Sequence, residues 1–167
     1  MQKSLQSLRR RKGPLIKAVF HVEERGIKEV KLFPAMEMEA MEWEIQGKAS
    51  PLLVEMIDKW MESYAKKKSP DVFLPIVLDG LPPYTTRVLS ILRDIPIGIS
   101  LSYKELGEIT GNPKGARAVG NACAKNPCPL IIPCHRVLAA DSRLGGFSCG
   151  IDIKKTLLSY EKIHFDS

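Results

Sequence analysis

The sequence predicts an α+β protein: a small N-terminal sheet-and-helix unit joined to a mainly helical C-terminal unit with a helix-turn-helix. Three observations carry this. Apolar and polar residues alternate with period two near the N-terminus, helical spacing takes over after Leu81-Pro82-Pro83, and two short helical segments flank a Gly-bearing turn near residue 112. The boundaries follow as a basic tail over 1–12, a supporting unit over 13–80 and a second unit over 84–167.

From Leu15 to Phe33 the alternation runs on both sides of Glu23-Glu24-Arg25-Gly26, a hairpin with Gly26 at its turn. His21 falls within that alternation and reads as a packing or surface residue. The stretch from Ser50 to Lys68 spaces Leu53, Ile57, Trp60, Met61 and Tyr64 as one helical face. Ser50 is its N-cap, Pro51 its first residue, and lysines occupy its last turn. Phe73 to Leu78 offers a further strand. Gly80, Pro82 and Pro83 then interrupt regular structure.

In the second unit, Val88, Leu89, Ile91, Leu92 and Ile95 share a broad apolar face. Ser102 and Glu105 form a capping box. Asn112 and Pro113 suit the start of a helix reaching Lys125, with Ala116, Val119, Gly120 and Cys123 on its apolar side. Lys114, Arg117, Ala118, Asn121 and Lys125 lie on the other. Two such helices suit a DNA-reading helix-turn-helix, ahead of an ordinary helical hairpin with a solvated face.

Composition narrows the class. The 167 residues are 44% apolar and 26% charged, as in soluble globular proteins, with no run long enough to span a membrane. A cytoplasmic location follows, since the basic N-terminus lacks the apolar segment of a secretory signal. Net charge is +6: residues 1–12 hold five basic side chains and no acid, 13–83 nine basic against twelve acidic, and 84–167 eleven against seven. The excess on the tail and the C-terminal half fits a polyanionic partner or a solvated surface. Cys123, Cys128, Cys134 and Cys149 form no disulfide framework and match no common zinc spacing, so no metal and no cofactor are expected.

The chemical signal lies in Pro129–Leu138, a buried strand-like segment ending in a turn, where Cys134 and His135 are adjacent. Consecutive side chains of an extended segment point apart, so Cys134 and His135 need not touch, and a water or a bend can connect them. Ile153, Leu157 and Glu161 repeat at four-residue spacing, so Glu161 sits on an apolar stripe and needs a partner such as His135. A Cys–His–Glu relay results, unless Glu161 lies in water at a frayed helix end.

The stretch Ile132-Pro-Cys-His-Arg-Val137, preceded by Gly111–Leu130 and followed by Gly145–Gly150 and Leu157–Lys162, resembles the O6-alkylguanine-DNA alkyltransferase family, the methylated-DNA–protein-cysteine methyltransferases. The resemblance runs from about Tyr84 to Ile163; the N-terminal half matches in size and order only, and the family implies an RNase H-like supporting domain there. It also implies transfer of a methyl group from O6-alkylguanine, and from O4-methylthymine, in double-stranded DNA to Cys134. That transfer is irreversible. A monomer without a membrane partner is expected.

Carried over, His135 is the base, acting through a water, Glu161 orients it, and Asn126 orders the turn. Tyr103 donates to the leaving guanine. Ser148, Phe147 and the Val137 carbonyl bind the base, and Arg117 fills the stack of the flipped nucleotide. Lys114, Ala118, Asn121, Lys125 and Arg136 face DNA, and the small residues Ala118, Gly120 and Ala122 allow close approach. Cys149 stands where many relatives have glycine. Two other classes compete: a lesion-binding helix-turn-helix protein without chemistry, disfavoured by Cys134, and a Cys-His hydrolase, which ordinarily draws thiol and imidazole from distant segments.

Overall fold

The computed structural model describes residues 7–36 and 40–167. The chain forms two compact units that divide between Val77 and Leu78.

The first unit is a four-stranded sheet with one helix. Its strands are β1 (Arg9–Lys12), β2 (Ile16–Glu23), β3 (Gly26–Pro34) and β4 (Ala40–Gly47), in the order β1-β4-β2-β3. The hairpin β2–β3 is antiparallel, as the alternation predicts, and β4 returns parallel to β2. Met41, Trp43 and Ile45 are buried from alternate positions of β4, a period-two signal that was readable in the sequence. Gly47 ends this strand at φ 106°, where a Cβ would stand 2.2 Å from the Val22 carbonyl oxygen, so no other residue fits. Helix α1 (Pro51–Ala65) starts as expected, with the Ser50 hydroxyl accepting from Leu53 N–H and the expected five residues buried. Trp43 ties β4 to α1 through Asp58, at 2.8 Å.

Three expectations are corrected here. The helix ends at Ala65, so Lys66, Lys67 and Lys68 follow its last turn. Phe73–Leu78 is not a strand. Pro75 has no N–H to donate, and pairing stops at one bridge, Ile27 with Ile76. Residues 9–12 are not a tail but the edge strand β1, held by Arg9–Asp58, Arg10–Glu42 and Arg11–Glu62 pairs at 2.7, 2.8 and 3.1 Å. The acidic excess of the first unit draws them in. Residues 1–6 of the expected tail lie outside the described residues.

The second unit holds α2 (Pro83–Arg93), β5 (Leu101–Ser102), α3 (Tyr103–Ile109), α4 (Ala116–Ala124), β6 (Val137–Leu138) and α5 (Ile151–Tyr160). Pro83 begins α2 rather than merely breaking the chain, because a missing N–H costs nothing in a first turn. The capping box is present: Glu105 N–H donates to the Ser102 hydroxyl and Ser102 N–H to the Glu105 carboxylate. Helix α4 starts three residues later than expected. Gly115 N–H donates to the Asn112 carbonyl, closing a turn that keeps Pro113 and Lys114 out of the helix. Among the described residues no helix is long and apolar enough to cross a membrane.

Candidate active site

The segment after α4 has little regular structure and is nevertheless buried from Cys128 to Leu138. Asn126 organises it. Its Oδ1 accepts from Cys128 N–H at 2.9 Å, and its Nδ2 donates to the Ile132 carbonyl at 2.8 Å and to Cys134 Sγ at 3.1 Å. One side chain therefore clasps both ends of the loop and touches the thiol. Between them Leu130 adopts φ 75° while buried. A left-handed leucine costs about 1–2 kcal/mol, which the Asn126 bonds and packing offset. The expected strand-like segment is thus an irregular loop leading into a 3₁₀ turn, Cys134–Arg136, followed by β6.

Cys134 is only 4% exposed, so it does not surface on the turn as its sequence context suggests. It lines a cavity of about 250 Å³ with Tyr103, Gly120, Cys123, Phe147 and Ser148. Tyr103 comes from the start of α3, Gly120 and Cys123 from α4, and Phe147 and Ser148 from the loop before α5. Cys123, expected only as a packing residue of α4, is a wall of this cavity. Gly145, at φ 65°, leaves room for the phenol: a Cβ there would stand 3.2 Å from Tyr103 Cε2. Burial, with smaller contributions from Cys123 and Cys134, raises the Tyr103 hydroxyl to about 12, so it remains a donor near neutral pH.

Behind the cysteine lies a buried polar cluster. His135 is fully buried, and its Nε2 lies 2.7 Å from Glu161 Oε1, as the stripe on α5 predicts. Its Nδ1 has no hydrogen-bond partner among the described residues. Burial lowers the imidazole from its ordinary value, against the pull of Glu161. Burial alone would raise Glu161, but its contacts with His135 and Arg136 outweigh this and hold it at about 2. With the carboxylate ionised and the imidazole neutral, Nε2–H donates and the Nδ1 lone pair remains. Burial also raises the Cys134 thiol to about 11, partly offset by the Asn126 amide.

Arg136 corrects an expectation. It does not face DNA but is buried, with Nε and Nη2 on the Glu161 carboxylate and Nη1 on the Ile95 carbonyl. Val137 is fully buried, is not part of the cavity wall, and its carbonyl accepts from Lys154 Nζ at 2.7 Å. Lys154 itself was not foreseen. Fully buried, it donates also to the Leu144 and Gly146 carbonyls, at 2.5 and 3.3 Å, and burial lowers it to about 8. The signal existed: Lys154 stands four residues before the buried Leu158 and seven before Glu161, on the inner face of α5. Arg117, Asn121, Lys114 and Lys125 are exposed on α4 and its flanks, and Ala118 is half-buried. Ala122 is buried, so it cannot face a ligand beside Ala118. Cys149 is half-buried beside Ser148. Among the described residues no three His, Cys, Asp or Glu side chains are grouped to hold a metal ion.

A cavity lined by a cysteine and a phenol, with a neutral imidazole on an ionised carboxylate next to the cysteine, defines a protein with a buried thiol in the wall of a pocket. Residues 83–163 match the family described as "6-O-methylguanine DNA methyltransferase, DNA binding domain". The chain is 32% identical over 162 residues to the human methylated-DNA–protein-cysteine methyltransferase, covering 89% of this chain and 77% of that protein. It is 36% identical over 125 residues to the mouse protein of the same name, covering 71% of this chain. It thus spans little more than half of the mouse relative, 58% of its length. The crystal structure of Mycobacterium tuberculosis OGT in complex with DNA is similar in fold, with TM-score 0.67 and 26% identity over 88% of this chain and 92% of that one. The chain belongs to the methylated-DNA–protein-cysteine methyltransferase family.

Proposed function

We propose that this protein repairs alkylated DNA by moving the methyl group of O6-methylguanine onto Cys134, once per molecule. The observation that carries this reading is the Cys134 thiol in the wall of a cavity sized for a small ligand, which Tyr103 also lines, with the His135–Glu161 pair next in the chain.

The lesion sits inside a duplex, so the nucleotide must leave the stack to reach a buried sulfur. Helices α3 and α4 serve as the helix-turn-helix, with Lys114, Asn121 and Lys125 on the phosphates and Ala118 close to the groove. Arg117, exposed on α4, fills the gap left by the flipped nucleotide, offsetting part of an unstacking cost of about a few kcal/mol. Phe147 and Ser148 hold the base in the cavity. The first unit acts as an RNase H-like support for the second.

A thiol raised to about 11 is protonated near neutral pH, so its proton must leave during the reaction. The Nδ1 lone pair of His135 accepts it through one water, and Glu161 steadies the imidazolium that forms. The sulfur lone pair then forms the S–CH3 bond as the C–O6 bond breaks, and the electrons of that bond leave with the guanine. Tyr103 donates to the guanine as this charge develops. The thioether is stable to water, so the acceptor is spent, and the same attack serves O4-methylthymine. The protein acts as a cytoplasmic monomer, in a reducing compartment that keeps its four cysteines as thiols. The test is the intact mass of the protein after mixing with an O6-methylguanine oligonucleotide: one methyl group gained supports the reading, and an unchanged mass with tight binding points to a lesion sensor.

A further inference from the structure

Glu161 is shared between two residues. Its Oε1 faces both His135 Nε2, at 2.7 Å, and Arg136 Nη2, at 2.9 Å, while Oε2 accepts from Arg136 Nε at 2.7 Å. The third donor of the same guanidinium, Nη1, is fixed on the Ile95 carbonyl beyond the end of α2. Arg136 is 5% exposed, and its Nε, Nη1 and Nη2 all bond within the protein. A planar guanidinium gripped at three points orients the carboxylate rigidly.

The charge balance matters as much as the geometry. A buried carboxylate paired with an imidazole alone favours the imidazolium, and a base already protonated cannot take a second proton. The charged groups acting on His135 are Lys154 from α5, Glu161 from the residue that caps it, and Arg136 from its own 3₁₀ turn, where the Cys134 thiol also lies. Arg136 touches the Glu161 carboxylate directly and occupies both oxygens. The permanent charge of an arginine does this at every pH that the protein meets.

We infer that Arg136 is a positioning residue for the transfer reaction: it fixes Glu161 and balances its charge, so that His135 remains a neutral acceptor for the Cys134 proton. The inference rests on the alkyl-transfer reading and gives the arginine next to the histidine an electrostatic role in place of a DNA contact.

The test uses the full chain with ¹³C-labelled histidine, as wild type, Arg136→Gln and Arg136→Lys. Two quantities are followed from about pH 5 to 9, the range of imidazole titration: the NMR midpoint of His135, and the single-turnover rate on an O6-methylguanine duplex. In Arg136→Gln the His135 midpoint rises by about one pH unit, a tenfold change in its imidazolium-to-imidazole ratio. The acid limb of the rate profile moves up with it. Arg136→Lys, which keeps a charge but cannot grip both oxygens, shows a smaller shift in the same direction and covers the case in which the glutamine variant does not fold. A rate lowered equally at all pH values, with an unmoved midpoint, would mean that Arg136 only holds the fold, and the inference fails. If the wild-type protein transfers no methyl group, the functional reading fails, while the NMR midpoints still decide whether Arg136 controls His135.

Discussion

The two units handle charge in opposite ways. In the first, ion pairs such as Arg9–Asp58, Arg11–Glu62 and Lys17–Glu44 keep their heads partly in water. Glu42 is the exception, buried on β4 with Arg10 on one oxygen. In the second unit His135, Arg136, Lys154 and Glu161 are all buried within one short stretch of structure. Buried ions gain little net stability over apolar packing, and their loss one at a time is costly. The first unit uses charge to trim a sheet. The second accepts a strained, polar interior, and the proposed transfer of the Cys134 proton would use it.

Four substitutions, one with a matched surface control, break or sharpen that contrast. Cys134→Ser, the largest, abolishes methyl transfer while duplex affinity changes by less than about 0.5 kcal/mol, since the thiol is in the cavity and the basic residues are on α4 and its flanks. Transfer assays and a binding titration on the same oligonucleotide read both, and retained transfer would remove Cys134 from its role. Next, Glu161→Gln leaves Arg136 with an uncompensated buried charge and lowers stability by about 3–5 kcal/mol. The matched change on the surface, Glu62→Gln, costs about 0–1 kcal/mol. Urea unfolding of the two variants should differ accordingly; similar losses would erase the distinction between the units. Lys154→Met keeps the bulk but leaves the Val137, Leu144 and Gly146 carbonyls without their donor. A loss of about 1–3 kcal/mol is expected, with faster amide exchange over residues 144–148, and unchanged exchange there would show that the lysine does not hold the cavity wall.

Arg117→Ala is the mildest. It slows transfer from duplex DNA about tenfold relative to free O6-methylguanine base, a difference of about 1.4 kcal/mol, because the free base needs no flipping. Equal losses on the two substrates would argue against a finger in the stack.

The parts legible in the sequence are those set by local periodicity. The hairpin, the Ser50 cap, the Ser102–Glu105 box and the meeting of Glu161 with His135 all follow from spacing along one element. Lys154 was legible by the same rule, but a lysine's polarity argues for solvent, and three backbone carbonyls supplied by distant residues overrule it. Arg136 was hidden for a different reason: its partners are 25 and 41 residues away, at the ends of α5 and α2. Strand β1 shows no apolar alternation at all, since its residues are recruited by the charges of β4 and α1. The burial of Cys134 depends on the loop that Asn126 ties together, and no periodicity encodes an irregular loop.

The central claim is that Cys134 alone accepts one methyl group and is then spent. Three other thiols make the claim sharp, since Cys123 lines the same cavity and Cys149 lies beside Ser148. The direct measurement incubates the protein with excess O6-methylguanine duplex, follows methyl loss from DNA over time, and maps the modified peptide. The account predicts a plateau at one methyl per protein, all of it on the peptide bearing Cys134. Continued loss of methyl groups beyond that plateau, or methyl spread over Cys123, Cys128 and Cys149, would contradict it.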